Sequence, residues 1–461
     1  MMLALYLTAI WFRPLLPIDE TRYMSVAWEM FLRHGWFQPL TMNFEPYHHK
    51  PPLLFWLINL SWSAFGVSRW AGLIPPVLAS LSCVYLTGIL GRLLFPETLH
   101  DRQRVWLIMA ASLPFMIYGT LVMFDFTLCA FVLLSLVSIV LFARHRRLRY
   151  VAMTGLFLGL GVLTKGPVAY LYVLPAILFA PLWVQGFAKP AAWYAGCLAA
   201  ILISFIPVLL WLVPVLQQSD HDFAFWLVWN QTAGRVTGNF NASHVRPIYF
   251  YLPLIPILFM PWIFFPAFWR GLANIKQNVM NKEGLRFLLF WLVPVVAIFS
   301  LISGKQPHYL VPLLPGAVLL LAISLQRLKN ETLAQALAVI VVIFISGQMI
   351  ASQKFFKSYD LEPIADIVHR NPSRDLAFVR NYHAELGFLA RREKSLVGRE
   401  MNDIDRWFEQ HPNGWAVIRY TDDQDIQKYD MIASFPYRGK RMGVFQTMDF
   451  SLKKKEQTHN E

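Results

Sequence analysis

The sequence predicts a polytopic α-helical membrane protein with a small α/β domain at its C-terminal end. Of its 461 residues, 56% are hydrophobic and only 15% are charged, and the mean hydropathy is +0.44. Soluble globular proteins carry about 25% charged residues, so the composition excludes a soluble enzyme, a disordered chain and a fibrous protein. The apolar residues also gather in about eleven runs near the length that spans a membrane.

These runs lie within residues 1–351, which we take as the membrane domain, while residues 352–461 form the soluble domain. The first run has no basic region before it and no small-residue cleavage site after it, so we expect a membrane segment and not a signal peptide. The chain's true start could lie upstream of Met1. The predicted spans are at about 1–17, 70–95, 105–122, 124–143, 150–164, 166–184, 191–216, 248–269, 285–303, 308–326 and 332–351.

Basic residues predict which side of the membrane each loop faces. Residues 352–461 hold 18 of the 41 Lys and Arg residues and 17 of the 28 acids, so most of the net charge of +13 lies beside the membrane. With a cytoplasmic N-terminus, thirteen basic residues fall in inner loops and seven in outer loops, as the positive-inside rule requires. The soluble domain then lies outside, and the charge indicates contact with lipid headgroups rather than nucleic acid.

The first outer loop, at about 18–69, contains two predicted helices. Residues 53–66 form an apolar run of about 14 residues, which is too short to span comfortably. Residues 20–34 carry an apolar stripe at helical spacing, and Glu20, Arg22, Glu29 and Arg33 avoid that stripe. We therefore expect both segments to be helices lying along the outer membrane surface.

The residues after about 355 change character and predict a small α/β domain. Strands are predicted at 376–382, 415–420 and 442–448, and helices near 383–392 and 402–410. The polar stretch at the end of the chain is expected to be frayed.

Asp125 is the one acid that we place inside or at the edge of a span. Burying a carboxylate at that depth is costly, so Asp125 is expected to face a polar cavity or a cation. The alternative is that Asp125 only caps or kinks the chain between two spans.

Two adjacent acids, Asp19 and Glu20, follow the first span directly. They could supply a general base or bind a cation. Equally, Asp19 could be the N-cap of the next helix, with Glu20 favoured by the helix dipole.

Several cations lie on the same outer side although the positive-inside rule opposes them. These five cations are Lys50, Lys165, Arg235, Arg246 and Lys305, and the long outer loop at about 217–248 also carries His244. Each cation alone is ordinarily an interfacial anchor. Together the five cations indicate an anionic ligand such as phosphate.

Common catalytic motifs of other classes are absent from the sequence. There is no Gly-rich phosphate loop, HExxH or GxSxG pattern, which argues against nucleotide hydrolysis and a zinc protease. The three cysteines, Cys83, Cys129 and Cys197, lie in apolar runs and give no metal or disulfide pattern. Because the sequence has no nucleotide-binding motif, an activated substrate on the outer side would have to be carried by a lipid.

At these residues the sequence resembles the GT-C glycosyltransferases that use polyprenyl-phosphate sugars, in the bacterial branch of the protein mannosyltransferase superfamily. That branch includes lipid A aminoarabinose transferases. The resemblance runs in order over about 18–315, and each motif alone is weak. The motifs are DETRY after the first span, KPPL, the lone Asp125, LTKGP, HVRPIYFYLPLIPILFMPW and SGKQPHYLVPLLP.

This resemblance implies residue roles on the periplasmic side. Asp19 matches the family's catalytic acid, Lys50 the lysine that meets phosphate, and Asp125 the second acid of the cavity. The sequence departs from relatives that have an acid before the lysine, because His49 stands there. No cofactor is certain, and a divalent metal ion stays open. Substrate-binding residues are expected at Glu20, Arg22, Tyr23, Lys165, Arg235, His244, Arg246, Lys305 and Tyr309.

The function expected from these observations is inverting transfer of one sugar from undecaprenyl phosphate to a periplasmic acceptor at a bacterial inner membrane. The acceptor could be lipid A, another envelope glycan or a protein. One alternative is a transporter or flippase for lipid-linked sugars, since many prolines lie within the apolar runs. Another is a structural or sensory protein whose C-terminal domain is a binding module.

Overall fold

The computed structural model describes residues 1–219, 226–227, 245–278 and 282–448. The chain divides into two compact units. The first comprises residues 1–6, 35–40 and 47–345, and the second comprises residues 7–34, 41–46 and those from Ser346 onward. This division differs from the predicted boundary at 351/352, because most of the first predicted span and the helix that follows it group with the C-terminal residues.

Most helices belong to the first unit, and α2 belongs to the second. Those before the long outer loop are α1 (Met2–Phe12), α2 (Asp19–Arg33), α3 (Leu53–Phe65), α4 (Arg69–Leu94), α5 (Arg102–Ala110), α6 (Leu113–Tyr118), α7 (Phe124–His145), α8 (Leu148–Lys165), α9 (Val168–Leu178), α10 (Ala180–Trp183) and α11 (Pro190–Gln217). Those after it are α12 (Pro266–Ala273), α13 (Ile275–Asn278), α14 (Glu283–Leu301), α15 (Leu314–Ser324) and α16 (Asn330–Gln353), with 3₁₀ segments at Ile248–Phe259 and Pro307–Leu313.

Within the described residues, seven helices are long and apolar enough to cross a membrane. They are Arg69–Leu94, Phe124–His145, Leu148–Lys165, Pro190–Gln217, Glu283–Leu301, Pro307–Ser324 and Asn330–Gln353. The other four predicted spans, at 1–17, 105–122, 166–184 and 248–269, are not continuous helices of spanning length. Seven of the eleven predicted spans are thus confirmed as long apolar helices, and the other four are apolar runs that contain shorter helical segments.

Proline explains two of these interruptions, because it lacks an N–H donor and clashes with the preceding turn. In the run at 105–122, α5 ends at Ala110 and α6 starts again with Pro114 in its first turn. In the run at 248–269, Pro253 and Pro256 lie within a 3₁₀ segment instead of an α-helix. Hydropathy detects the apolar run but not the break within it.

The core of the first unit forms around α7, which is the most deeply buried of the early spans and packs against α4 and α8. Helix α8 in turn packs against α11. A Cβ added at Gly155 of α8 would lie 2.5 Å from the Ala200 carbonyl oxygen of α11, so glycine is required for this approach. Close backbone packing at small residues is how helices associate in lipid, and here it joins the middle of α8 to α11.

The second unit contains a five-stranded mixed sheet in the order β4-β3-β5-β7-β6. Strand β3 pairs in parallel with β4 and β5, whereas β7 pairs antiparallel with β5 and β6. Alternating side chains enter two apolar clusters, one with α17 (Glu362–His369) and one with α18 (Ile404–Gln410). The strands are β3 (Leu376–Val379), β4 (Val397–Arg399), β5 (Trp415–Tyr420), β6 (Tyr429–Tyr437) and β7 (Lys440–Thr447); a two-stranded ribbon, β1 (Thr41–Met42) and β2 (Glu45–Pro46), follows α2.

Most predictions for this domain are confirmed. The strands predicted at 376–382, 415–420 and 442–448 and the helix at 402–410 are present, with small differences in their ends. The helix predicted near 383–392 is wrong, because those residues form turns. The sequence analysis also missed β4, β6 and α17.

Helix α2 confirms the helix predicted at 20–34, and both of its sides are largely buried. The apolar stripe is buried, and so are Ser25 and Glu29 on the other side. The Glu29 carboxylate accepts hydrogen bonds from the Thr41 hydroxyl at 2.6 Å and the Phe44 N–H at 2.8 Å. Burial raises the pKa of Glu29 despite these bonds. Helix α2 is therefore enclosed by protein on both sides.

Candidate active site

The first unit contains a buried ion pair between Asp125 and Lys165. The Lys165 Nζ lies 2.5 Å from the Asp125 Oδ1, and the two side chains are only 2% and 6% exposed. Removing one partner of such a pair leaves an uncompensated buried charge. The expectation that Asp125 faces a cation is therefore met by a lysine forty residues away in the sequence.

The ends of two helices place this pair. Asp125 lies in the first turn of α7, and Lys165 is the last residue of α8. An acid at a helix N-terminus and a base at a C-terminus are both favoured by the helix dipoles. Helix α8 ends here because Gly166 has a positive φ of 83° and Pro167 follows it. The LTKGP motif is thus a helix terminus that presents Lys165.

Three other residues lie around this ion pair: Lys50, His308 and Tyr309. The Lys165 Nζ lies 4.7 Å from the centre of the Tyr309 ring, a cation–π contact. Lys50 and His308 both lie close enough to interact electrostatically with the Asp125 carboxylate. The structure therefore brings Lys50, Asp125, Lys165 and Tyr309 into one charged cluster, which we call the Asp125 cluster. His308 was missed although it stands in the SGKQPHY motif.

The segment that carries His308 and Tyr309 is held by two buried tyrosines. The Tyr172 hydroxyl donates to the Tyr309 carbonyl oxygen at 2.7 Å, and the Tyr251 hydroxyl donates to the Gln306 carbonyl oxygen at 3.3 Å. The tyrosines come from α9 and from the 3₁₀ segment Ile248–Phe259. Neither was a candidate in the sequence, since a buried tyrosine on an apolar run ordinarily indicates packing.

Lys305 and Arg246 hold two loops together. The Lys305 Nζ donates to the Arg246 carbonyl oxygen at 2.9 Å, and the Arg246 N–H donates to the Ser303 carbonyl oxygen at 3.2 Å. Lys305 is 3% exposed, and this burial lowers its pKa. Its observed contact stabilises the loop, and a ligand-binding role is an additional prediction. Arg235 and His244 lie outside the residues that the structure describes.

Asp19 lies in the second unit, at the first position of α2. It is not an N-cap, because Ile18 precedes the helix and makes no side-chain cap. Its carboxylate accepts a hydrogen bond from Arg22 Nη2 at 2.9 Å and from the Tyr23 hydroxyl at 3.4 Å. The Asp19 side chain is nevertheless 48% exposed. It is therefore an oriented and partly exposed carboxylate.

Glu20 has a structural environment unlike that of its neighbour. It is 1% exposed, and its carboxylate forms an ion pair with Arg13 and accepts the Leu16 N–H at 3.0 Å. These bonds close the turn between α1 and α2. Glu20 was predicted to bind substrate, but its carboxylate is committed to this turn. Arg13 was missed because nothing in the local pattern pairs it with an acid seven residues later.

Among the described ranges 1–219, 226–227, 245–278 and 282–448, no three His, Cys, Asp or Glu side chains form a group that could hold a metal ion. The two neighbouring histidines, His48 and His49, have their ring centres 4.7 Å apart and their ring planes tilted by 35°.

Comparison with known proteins confirms the resemblance noted in the sequence. Residues 49–211 match the family described as dolichyl-phosphate-mannose-protein mannosyltransferase. Curated relatives are named undecaprenyl phosphate-alpha-4-amino-4-deoxy-L-arabinose arabinosyl transferase. One from Pseudomonas savastanoi is 32% identical over 72% of this chain and 61% of its own length, and one from Pseudomonas aeruginosa is 31% identical over 68% and 56%. The aligned part thus spans little more than half the length of these relatives.

Solved structures show the same fold at low sequence identity. The crystal structure of ArnT from Cupriavidus metallidurans bound to undecaprenyl phosphate superposes with a TM-score of 0.78 and 16% identity, over 97% of each chain. An oligosaccharyltransferase from Archaeoglobus fulgidus, in complex with Zn and sulfate, gives a TM-score of 0.54 and 13% identity, over 90% of this chain and 67% of its own. Both support the GT-C membrane fold.

Proposed function

The chain is a relative of the undecaprenyl phosphate-aminoarabinose arabinosyl transferases, and from this relationship we propose that it is a glycosyltransferase that moves one sugar from undecaprenyl phosphate to an acceptor. The proposed sugar is aminoarabinose, as in the relatives' names, and the proposed acceptor is lipid A. We place the reaction on the periplasmic side of a bacterial inner membrane, consistent with the distribution of basic residues.

One observation supports this proposal most strongly. The family match at 49–211 contains Lys50, Asp125 and Lys165, and these residues meet in the Asp125 cluster of the first unit. Two lysines and one aspartate leave a net positive charge. Such a cluster suits a leaving group that gains negative charge as its bond breaks.

The proposed reaction is a direct displacement at the anomeric carbon. The acceptor oxygen forms a bond to this carbon while the bond from the carbon to the phosphate oxygen breaks. The electron pair leaves with undecaprenyl phosphate, so no nucleotide is required. Attack from the side opposite the leaving group inverts the anomeric configuration.

We assign Lys50 and Lys165 to the departing phosphate and Asp19 to the acceptor. If the acceptor is a hydroxyl, Asp19 accepts its proton as a general base. If the acceptor is a phosphate of lipid A, which is already anionic, Asp19 instead orients it or stabilises positive charge on the sugar. Arg22 orients the Asp19 carboxylate through its hydrogen bond at 2.9 Å.

Replacing Lys50 with glutamine is expected to lower kcat roughly 10- to 100-fold, because one of the cations that stabilise the departing phosphate is lost. Lys50→Arg should retain part of the activity, since the positive charge remains. Lys354→Gln, at an exposed lysine after α16, is the control and should be unchanged. Transfer by the purified variants with undecaprenyl-phosphate aminoarabinose is the measurement. Equal activity of Lys50→Gln and the wild type would remove Lys50 from the mechanism.

The acceptor is tested by deleting the chain from its own bacterium and recording lipid A by mass spectrometry. We expect one aminoarabinose mass to disappear from lipid A and to return when the wild-type chain is restored. Restoration with Asp19→Asn should fail. Unchanged lipid A in the deletion strain would reject lipid A as the acceptor.

A further inference from the structure

We propose that residues 380–396 of the C-terminal domain position the catalytic helix α2, with Ser25 as the main positioning residue. This segment, which we call the docking segment, connects β3 to β4 within the second unit. The inference rests on the proposed function, because it concerns how Asp19 is held for transfer.

Ser25 is the closest point of contact between α2 and the docking segment. Its hydroxyl donates to the Ala384 carbonyl oxygen at 2.7 Å and accepts from the Phe388 N–H at 2.8 Å. The Ser25 side chain is fully buried. A Cβ added at Gly387 would lie 2.8 Å from the Ser25 Oγ, so a larger residue at 387 would push the helix away. Both hydrogen bonds therefore depend on glycine at this position.

Two more anchors follow along the chain. The Trp28 indole N–H donates to the Arg392 carbonyl oxygen at 2.9 Å. After the helix, the Asn43 amide donates to the Leu396 carbonyl oxygen at 2.8 Å and accepts the Leu396 N–H at 2.7 Å. Buried backbone groups need such partners, and here α2 and its ribbon supply them. The docking segment thus obtains several of its hydrogen bonds from the first loop rather than from its own sheet.

The spacing of the anchors connects them to Asp19. Residues three apart on a helix are neighbours, each turned about 60° from the last, so Arg22 lies between Asp19 and Ser25 along α2. The Arg22 guanidinium donates to the Asp19 carboxylate at 2.9 Å. Arg22 therefore connects Asp19 to the side of α2 that carries Ser25.

The docking segment also provides charges near this face. Arg22 and Asp19 both act electrostatically on His383, and Arg22 also acts on the buried Glu385. The His383 N–H donates to the Glu385 carboxylate at 2.7 Å, which fixes the backbone of the segment. Burial and then Arg22 lower the pKa of His383. Arg22 thus lies near both Asp19 and the docking segment.

The test is a double-mutant cycle in the full-length protein in detergent or liposomes. Ser25→Ala removes both hydrogen bonds, and Gly387→Ala displaces the helix without removing the hydroxyl. Each is expected to lower kcat about tenfold while KM for the lipid-linked sugar changes less than twofold, because a small misplacement of a catalytic group is costly. Ser434→Ala is the control, since Ser434 bonds Tyr420 and Arg441 in the sheet and not α2.

The cycle separates positioning from general loss of structure. In an Asp19→Asn background, Ser25→Ala should lower the residual rate no further, because the group that it positions is already disabled. Wild-type kcat in both single variants, or an equal tenfold loss in the Asp19→Asn background, would overturn the proposal.

Hydrogen–deuterium exchange provides a readout that does not depend on activity. Ser25→Ala and Gly387→Ala should speed exchange in α2 and leave α7 unchanged. Unchanged exchange in α2 would overturn the positioning proposal. Faster exchange in α2 in a protein whose wild type transfers no sugar would instead reject the proposed function and leave the docking contact supported.

Discussion

Replacing Asp19 with asparagine is expected to reduce sugar transfer about 10²- to 10⁴-fold, the usual contribution of a general acid or base. The asparagine side chain has nearly the same size, so Arg22 and Tyr23 keep a partner at this position. It cannot accept a proton at neutral pH or stabilise positive charge as a carboxylate does. Because Asp19 is about half exposed, the change should have little effect on stability.

The matched control for Asp19→Asn is Glu45→Gln, which neutralises an exposed acid in the same loop. Both variants should have the melting temperature of the wild type in detergent, and only Asp19→Asn should lose transfer. The initial rate of aminoarabinose transfer from a purified lipid-linked donor is the measurement. Unimpaired transfer by Asp19→Asn would end its proposed role.

The second large effect is expected at the buried pair of Asp125 and Lys165. Asp125→Asn leaves the lysine charge unpaired, and Lys165→Gln leaves the carboxylate unpaired. Each should destabilise the protein by about 3–5 kcal/mol, the usual result of removing one partner of a buried pair. Each should also abolish transfer, because the Asp125 cluster no longer has its charges.

The double variant Asp125→Asn/Lys165→Gln distinguishes a structural role from a catalytic one. Without an unpaired charge, it should recover most of the melting temperature lost by the single variants. Transfer should remain at least about a hundredfold below the wild type, since no cation at 165 meets the departing phosphate. If activity recovers together with stability, the pair is structural and Lys165 has no part in the reaction.

The sequence was sufficient to predict elements that depend on local patterns. The strand Trp415–Tyr420 and the helix Phe124–His145 are continuous apolar stretches of suitable length. The apolar stripe of α2 has helical spacing and identified that helix. By contrast, residues 383–392 have helix-forming composition but fold as turns. Ala384 and Arg391 adopt positive φ there. The Ala384 and Arg392 carbonyl oxygens accept hydrogen bonds from α2, more than 350 residues earlier.

The sequence alone could not predict which charged side chains of the candidate site contact one another. Asp125 was identified because burying a carboxylate in a span is costly, and Lys165 because it is one of several cations on the outer side, yet their contact depends on how α7 and α8 pack. The contact of Glu20 was missed for the same reason, since its partner Arg13 stands before a turn that contains two prolines. His308 and Tyr172 became candidates only once their neighbours were known.

Sugar transfer is tested most directly with the purified full-length protein in liposomes that contain undecaprenyl-phosphate aminoarabinose, radiolabelled in the sugar, and lipid A. We expect label to move to lipid A and free undecaprenyl phosphate to appear in equal amount. Label that stays on its carrier but crosses the bilayer would identify a flippase and rule out the proposed transfer. Label that stays on its carrier in the original leaflet would likewise contradict transfer to lipid A.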